Sequence, residues 1–124
     1  MPAILAVEDN PIGLMVLHHA LERHRIQVDG ASSGPAALEA AAKKRYDLVL
    51  MDLQMPEMDG LETTAAMREL PGYEKVPILA LTANSSDELR DLCRQRGMQA
   101  FLSKPFDTNV LLAAISRFVK TDSK

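Results

Sequence analysis

The chain has 124 residues, 47% of them hydrophobic and 25% charged, with a formal net charge of −3 at neutral pH. That length suits one domain able to bury roughly two-thirds of its unfolded surface without a disulfide or structural metal, and the scattered basic residues form no stripe that could follow a nucleic-acid backbone. A lone cysteine, Cys93, no secretion signal and no apolar run near the ~20 residues of a membrane helix predict a cytoplasmic chain with no membrane contact and no intramolecular disulfide.

Short apolar runs alternate with amphipathic stretches of helical length, the pattern of repeated βα units. The first run is Ala3 to Val7. Asn10 can cap, and Pro11 begin, a helix to about His24 with Leu14, Leu17 and Leu21 along one face. Ile26 to Gly30 reads as a second strand. Ser32 or Ser33 can cap an alanine-rich helix from Pro35 that ends in Lys43, Lys44 and Arg45, basic residues suited to a helix carboxyl end. Leu48 to Met51 is the strongest strand; Leu61 to Leu70 reads as helix stopped by Pro71 and Gly72; Pro77 to Leu81 is strand four. Ser85 or Ser86 can cap a helix to Arg96, closed by Gly97, and Ala100 to Leu102 is a fifth strand. Asp107 opens the last helix, whose Val110, Leu111, Ala114, Ile115 and Phe118 share a face, before a frayed tail at about 120–124. Short apolar strands each followed by a helix predict a parallel sheet covered on both faces.

In such a sheet, ligands bind outside the carboxyl ends of the strands. Glu8 and Asp9 follow strand one, Asp52 strand three, Thr82 strand four and Lys104 strand five, so all five can meet at one edge. Converging carboxylates repel one another unless a cation neutralises them. Oxygen ligands without nearby Cys or His favour magnesium, which commonly binds carboxylates, water and a phosphate oxygen. A carboxylate can attack phosphorus when the charge on the transferring group is balanced. Asp52, ending the central strand, is the candidate nucleophile; Glu8 and Asp9 are placed to hold the metal; Thr82 can offer its hydroxyl and Lys104 its charge to the phosphoryl group.

The runs Val7-Glu8-Asp9-Asn10, Met51-Asp52-Leu53-Gln54-Met55-Pro56-Glu57-Met58-Asp59-Gly60, Leu81-Thr82-Ala83 and Lys104-Pro105 resemble the receiver domains of two-component response regulators, over almost the whole chain. The Gln54-Met55-Pro56 and Leu81-Thr82-Ala83-Asn84 wording is most similar to receivers of hybrid sensor histidine kinases. The resemblance implies one receiver domain over 1–124 with a flavodoxin-like, doubly wound (βα)5 fold and strand order 2-1-3-4-5. It implies that Glu8, Asp9, Asp52 and the Gln54 main-chain carbonyl bind Mg2+, that Asp52 accepts the phosphoryl group, and that Lys104 and Thr82 contact it. Phe101 matches the family's switch aromatic, coupled to Thr82, and the Lys104–Pro105 bond is expected to be cis. The implied partner is a histidine kinase or a histidine phosphotransfer protein, with room for a phosphorylation-dependent dimer. The chain would accept phosphate on itself rather than turn over a separate substrate.

Blander assignments compete. Glu8 and Asp9 can be loop acids, Asp59-Gly60 turn chemistry, Phe101 a core aromatic, and His18, His19 and His24 surface residues, since they lack one-turn ligand spacing. The Arg23-His24-Arg25 cluster suits a solvated helix end or a docking patch. Gly13 departs from the Asn often found there in receivers, at a local helix cost of up to ~1 kcal/mol. A hydrolase with an aspartyl-phosphate intermediate would need a second acid two residues after the nucleophile, where this chain has Gln54. A flavodoxin-like cofactor binder would need a phosphate-cradling loop where Glu8 and Asp9 stand, and a phosphorylation-independent scaffold would not need the full set of chemical residues. Strand alternation gives Phe101 and Lys104 opposite parity, so the ring should project away from the phosphate pocket toward the fourth helix.

Overall fold

A computed structural model describes residues 2–55, 59–84 and 86–119. The frayed tail expected at 120–124, the Ser85 alternative for a helix cap, and Pro56, Glu57 and Met58 of the acidic loop lie outside the described residues. Five strands, β1 (Ala3–Val7), β2 (Gln27–Ala31), β3 (Leu48–Asp52), β4 (Ile78–Thr82) and β5 (Ala100–Ser103), alternate with α1 (Pro11–Glu22), α2 (Gly34–Lys43), α3 (Gly60–Arg68), α4 (Asp87–Gln95) and α5 (Thr108–Ser116). Every described strand pairing is parallel, in the order β2-β1-β3-β4-β5, as the resemblance implied.

The strands are apolar throughout because both faces are covered. Val49, Met51 and Ala80 pack with Ala37 and Ala41 of α2, Met67 of α3 and Cys93 of α4. Leu48, Leu50, Leu79 and Leu81 pack on the other face with Leu17 and Leu21 of α1 and Leu111 and Ile115 of α5. Every residue of β3 and β4 is buried, so whatever stands at their carboxyl ends is held by the best-packed part of the molecule.

Each helix starts on a side-chain cap that relieves its unpaired N–H groups. Asn10 accepts from Ile12 and Gly13, Ser33 from Ala36, Ser86 from Leu89 and Asp107 from Val110. Asp59 and Glu62 form a reciprocal capping box on α3, so Asp59-Gly60 is helix-start chemistry where the blander assignment expected a turn.

Several boundaries differ from expectation. β2 starts at Gln27, because the Ile26 N–H still donates to Leu21 O and completes the exit from α1. α3 ends at Arg68 rather than Leu70, since Glu69 and Leu70 donate to Ala66 and Met67 in tighter turns. Asp107 precedes α5 as its cap, and Phe118 packs on the core from beyond the helix end. Far from the expected site, Arg68 donates to the carbonyls of Tyr73 and Val76 at 2.8 and 2.7 Å, to that of Gly97, and to Gln99 Oε1. It thereby ties the α3–β4 loop to the α4–β5 turn.

Candidate functional site

Of the five chemical residues expected at the strand ends, Glu8, Asp9, Asp52 and Lys104 come together, and Thr82 ends the strand next to that of Asp52. Asp52 and Thr82 are the last residues of β3 and β4 rather than the first of the following loops, paired with Leu81 and Ser103 respectively. Their positions are therefore fixed by sheet register. Glu8 continues β1, its N–H donating to Ala31 O, and the Lys104 N–H donates to Thr82 O at 2.7 Å. The Lys104–Pro105 peptide is cis.

Glu8, Asp9 and Asp52 each offer a carboxylate oxygen, and these oxygens lie within 4.8 Å of one another. Glu8 and Asp52 are buried, at 5% and 2% exposure, while Asp9 faces solvent. The Lys104 ammonium lies 3.0 Å from Glu8 Oε1 and 3.3 Å from Asp52 Oδ2. Burial, together with a hydrogen bond to Asp52 and that residue's charge, holds the Glu8 carboxyl above its usual range despite the opposing pull of Lys104. Burial alone would lower the Lys104 value, but the Glu8 hydrogen bond and the two negative charges leave it raised. One ammonium thus faces two buried carboxylates, an imbalance that favours a further cation. The donor set is all oxygen, which fits a hard divalent ion.

Gln54 belongs to the same corner. Its N–H donates to Asp52 Oδ1 at 3.0 Å, and its side-chain Oε1 accepts from the Ala83 N–H at 3.4 Å, joining the loops after β3 and β4. Thr82 is fully buried, and its Oγ1 accepts from the Asn84 N–H at 3.0 Å. The hydroxyl hydrogen remains available for donation. Phe101 projects, as strand parity predicts, to the α4 side, where it packs against the cluster containing Cys93 and Met98 and lies under Arg90, 5.1 Å from guanidinium to ring centroid.

Two glycines matter more than the sequence suggested. A Cβ on Gly13 would stand 3.3 Å from Glu8 Cδ, so the missing side chain leaves Glu8 its room. A Cβ on Gly60 would stand 2.5 Å from the Asp52 carbonyl oxygen and 2.9 Å from Leu53 Cα. No local pattern announces either contact.

The family model for the response regulator receiver domain matches residues 4–116. Hybrid signal transduction histidine kinase B of Dictyostelium discoideum is 42% identical over 120 residues, covering 88% of this chain and 6% of that protein. The signal transduction histidine-protein kinase BarA of Escherichia coli K12 is 33% identical over 115 residues, covering 93% of this chain and 12% of its own length. The chain thus spans only a small part of these relatives. Among solved structures, the receiver domain of a sensor histidine kinase from Pseudomonas aeruginosa, with magnesium coordinated in its active-site cleft, superposes with a TM-score of 0.87 at 37% identity, covering 94% of this chain and 96% of that one. Chemotaxis protein CheY4 of Vibrio cholerae gives 0.93 at 34% identity, covering 96% and 99%.

Proposed function

Because the chain belongs to the response regulator receiver domain family of two-component signalling, we propose that Asp52 is its phosphoryl acceptor, drawing on a phosphohistidine of a histidine kinase or histidine phosphotransfer protein. The observation that carries this reading is the Lys104 ammonium held between Glu8 and Asp52 at the carboxyl edge of the sheet. In the transfer, the N–P bond of the donor breaks and an O–P bond forms to an Asp52 carboxylate oxygen. The freed imidazole nitrogen keeps the electron pair and takes a proton from solvent.

Glu8, Asp9 and Asp52, with the Gln54 main-chain carbonyl, would hold Mg2+. When bound, that ion supplies the positive charge that balances the carboxylates and the phosphoryl oxygens. Lys104 turns its ammonium from the carboxylates toward the arriving phosphoryl oxygens, and the Thr82 hydroxyl donates to another of them. Electrostatic preorganisation of this kind is the main lever on phosphoryl transfer, which asks little covalent chemistry of the protein.

The donor side of the site has a surface to match. A cavity of about 470 Å3 opens beside Glu8, Gly13 and Lys104, with Val16 and Phe106 also on its lining. Next to it α1 leaves Ile12, Met15 and Val16 largely in solvent, apolar side chains on which the phosphohistidine protein can rest. This reading sets the chain on the cytoplasmic side, working through protein contacts. None of its described helices is long and apolar enough to cross a membrane.

Incubation with phosphoramidate and Mg2+ tests the reading directly. One phosphoryl mass should be added to the wild type and none to Asp52→Asn; equal labelling of that variant removes Asp52 from the role.

A further inference from the structure

Helix α4 is held more lightly than the other helices: Cys93 is its one buried residue. Between α4, β5 and α5 lies a cavity of about 310 Å3, at the lower end of the roughly 300–1,000 Å3 that small organic ligands occupy. Cys93 and Met98, 2% and 5% exposed, form part of an apolar interior, with Phe101 and Ala114 on the walls. The lining also contains Arg90, Arg94 and Arg117, and no carboxylate.

The state of these guanidiniums matters. Arg90 lies over the Phe101 ring and Arg117 over the Phe118 ring, at 5.1 and 5.3 Å from the centroids, and among the described residues neither pairs with a carboxylate. Arg94 reaches Asp91 at 3.5 Å, with both side chains mostly in solvent, a contact that an incoming anion can replace cheaply. A guanidinium stacked on a ring keeps its N–H donors along its edge, where they can fork onto a carboxylate, sulfonate or phosphate. A lining that mixes apolar side chains with three arginines, two of them without a carboxylate partner among the described residues, complements a molecule with a small ring or short acyl body and an anionic head. The five chemical residues at the strand ends do not line this cavity.

We propose that the α4–β5–α5 cavity is a binding site for a small amphiphilic anion, separate from the phosphoryl site. Titration with a naphthalene sulfonate, followed by amide NMR, should give saturable shifts centred on Cys93, Met98 and Phe101. The uncharged naphthyl alcohol should bind at least tenfold more weakly. The double substitution Arg90→Gln with Arg117→Gln should cost at least tenfold in affinity, and Ala114→Leu, which fills the cavity, should abolish binding. Should Ala114→Leu fail to fold, the arginine pair decides, since those side chains lie at the surface. Asp52→Asn should bind as the wild type does, so failure of the phosphoryl reading leaves this result intact. Shifts centred instead on Ile12, Met15 and Val16, equal affinity for the alcohol, or an unaffected arginine double variant would each overturn the proposal.

Discussion

The Lys104 ammonium meets the Glu8 carboxylate at 3.0 Å across 96 residues of sequence, so the last strand end closes on the first. Lys104→Ala leaves two buried carboxylates facing each other without their cation. Phosphoramidate labelling should slow about a hundredfold, the usual cost of removing one preorganised positive contact from a developing anionic centre. Stability without divalent ions should fall by about 1–3 kcal/mol, toward the low end because Lys104 is partly exposed, and Mg2+ should restore part of it. Unchanged labelling kinetics would show that the ammonium has no part in the transfer.

Metal binding separates the two neighbouring acids. Glu8 is buried and Asp9 exposed, so Glu8→Gln should raise metal-free stability slightly by easing the clash with Asp52, whereas Asp9→Asn should leave it within about 0.5 kcal/mol. Both should weaken Mg2+ binding by calorimetry. In the wild type, Mg2+ at a hundredfold excess over its Kd should add about 2.7 kcal/mol, and chelation should stop labelling. Wild-type affinity in both variants removes them as ligands.

Thr82 and Phe101 should be coupled. Drawing the Thr82 hydroxyl to a phosphoryl oxygen changes the space on the α4 side of the sheet, and the ring can shift only by the difference in contacts between the two states. A beryllofluoride mimic should therefore move the Phe101 ring signals in the wild type and much less in Thr82→Ala. A Phe101 environment that ignores the mimic, or responds equally without Thr82, disposes of the coupling.

Asp29 in β2 accepts from Tyr46 Oη at 2.6 Å and Lys44 Nζ at 2.9 Å. Those hydrogen bonds hold its carboxyl below the usual range, and burial with the Asp29 contact pushes the Tyr46 phenol up. A depressed carboxyl stabilises the fold fully above its unfolded value of about 3.9, and the contribution disappears as pH falls through the lower folded value. Asp29→Asn should lower the urea midpoint at neutral pH and flatten the loss of stability below pH ~4. Parallel acid limbs in the two proteins would count against this assignment.

Gly60→Ala asks the Asp52 carbonyl to retreat from a methyl group that would stand 2.5 Å away. The expected outcome is a loss of about 1–3 kcal/mol together with slower labelling, because the displaced backbone carries the nucleophile. A variant that loses stability yet labels at the wild-type rate would show the loop can yield without moving Asp52.

Much of this was readable from the chain. Asn10 and the serine pairs at 32–33 and 85–86 announced their helices through cap chemistry, with Asp107 read one residue too far inside its own, and a parallel sheet puts every strand's carboxyl end on one edge, so Glu8, Asp52, Thr82 and Lys104 could meet there. Contacts between elements were not readable. That Gly13 makes room for Glu8, that Gly60 touches the Asp52 carbonyl and that Arg68 gathers carbonyls from two loops depend on how helices settle on the sheet, which local periodicity does not encode. Ile26 shows the same limit at one residue: its apolar side chain reads as strand, while its N–H is claimed by the end of α1.

The Arg68 tie turns α4 into a lever. Its far end is fastened through Gly97, while its Ser86 cap follows the loop that leaves Thr82. With 9 residues the arm is about 13 Å long, so a tilt of roughly ten degrees about that fulcrum carries the free end some ~2 Å. Were the Thr82 hydroxyl drawn to a phosphoryl oxygen, as the proposed function has it, such a tilt would turn that small displacement into a change of outline on the outside of the molecule, where another protein could feel it.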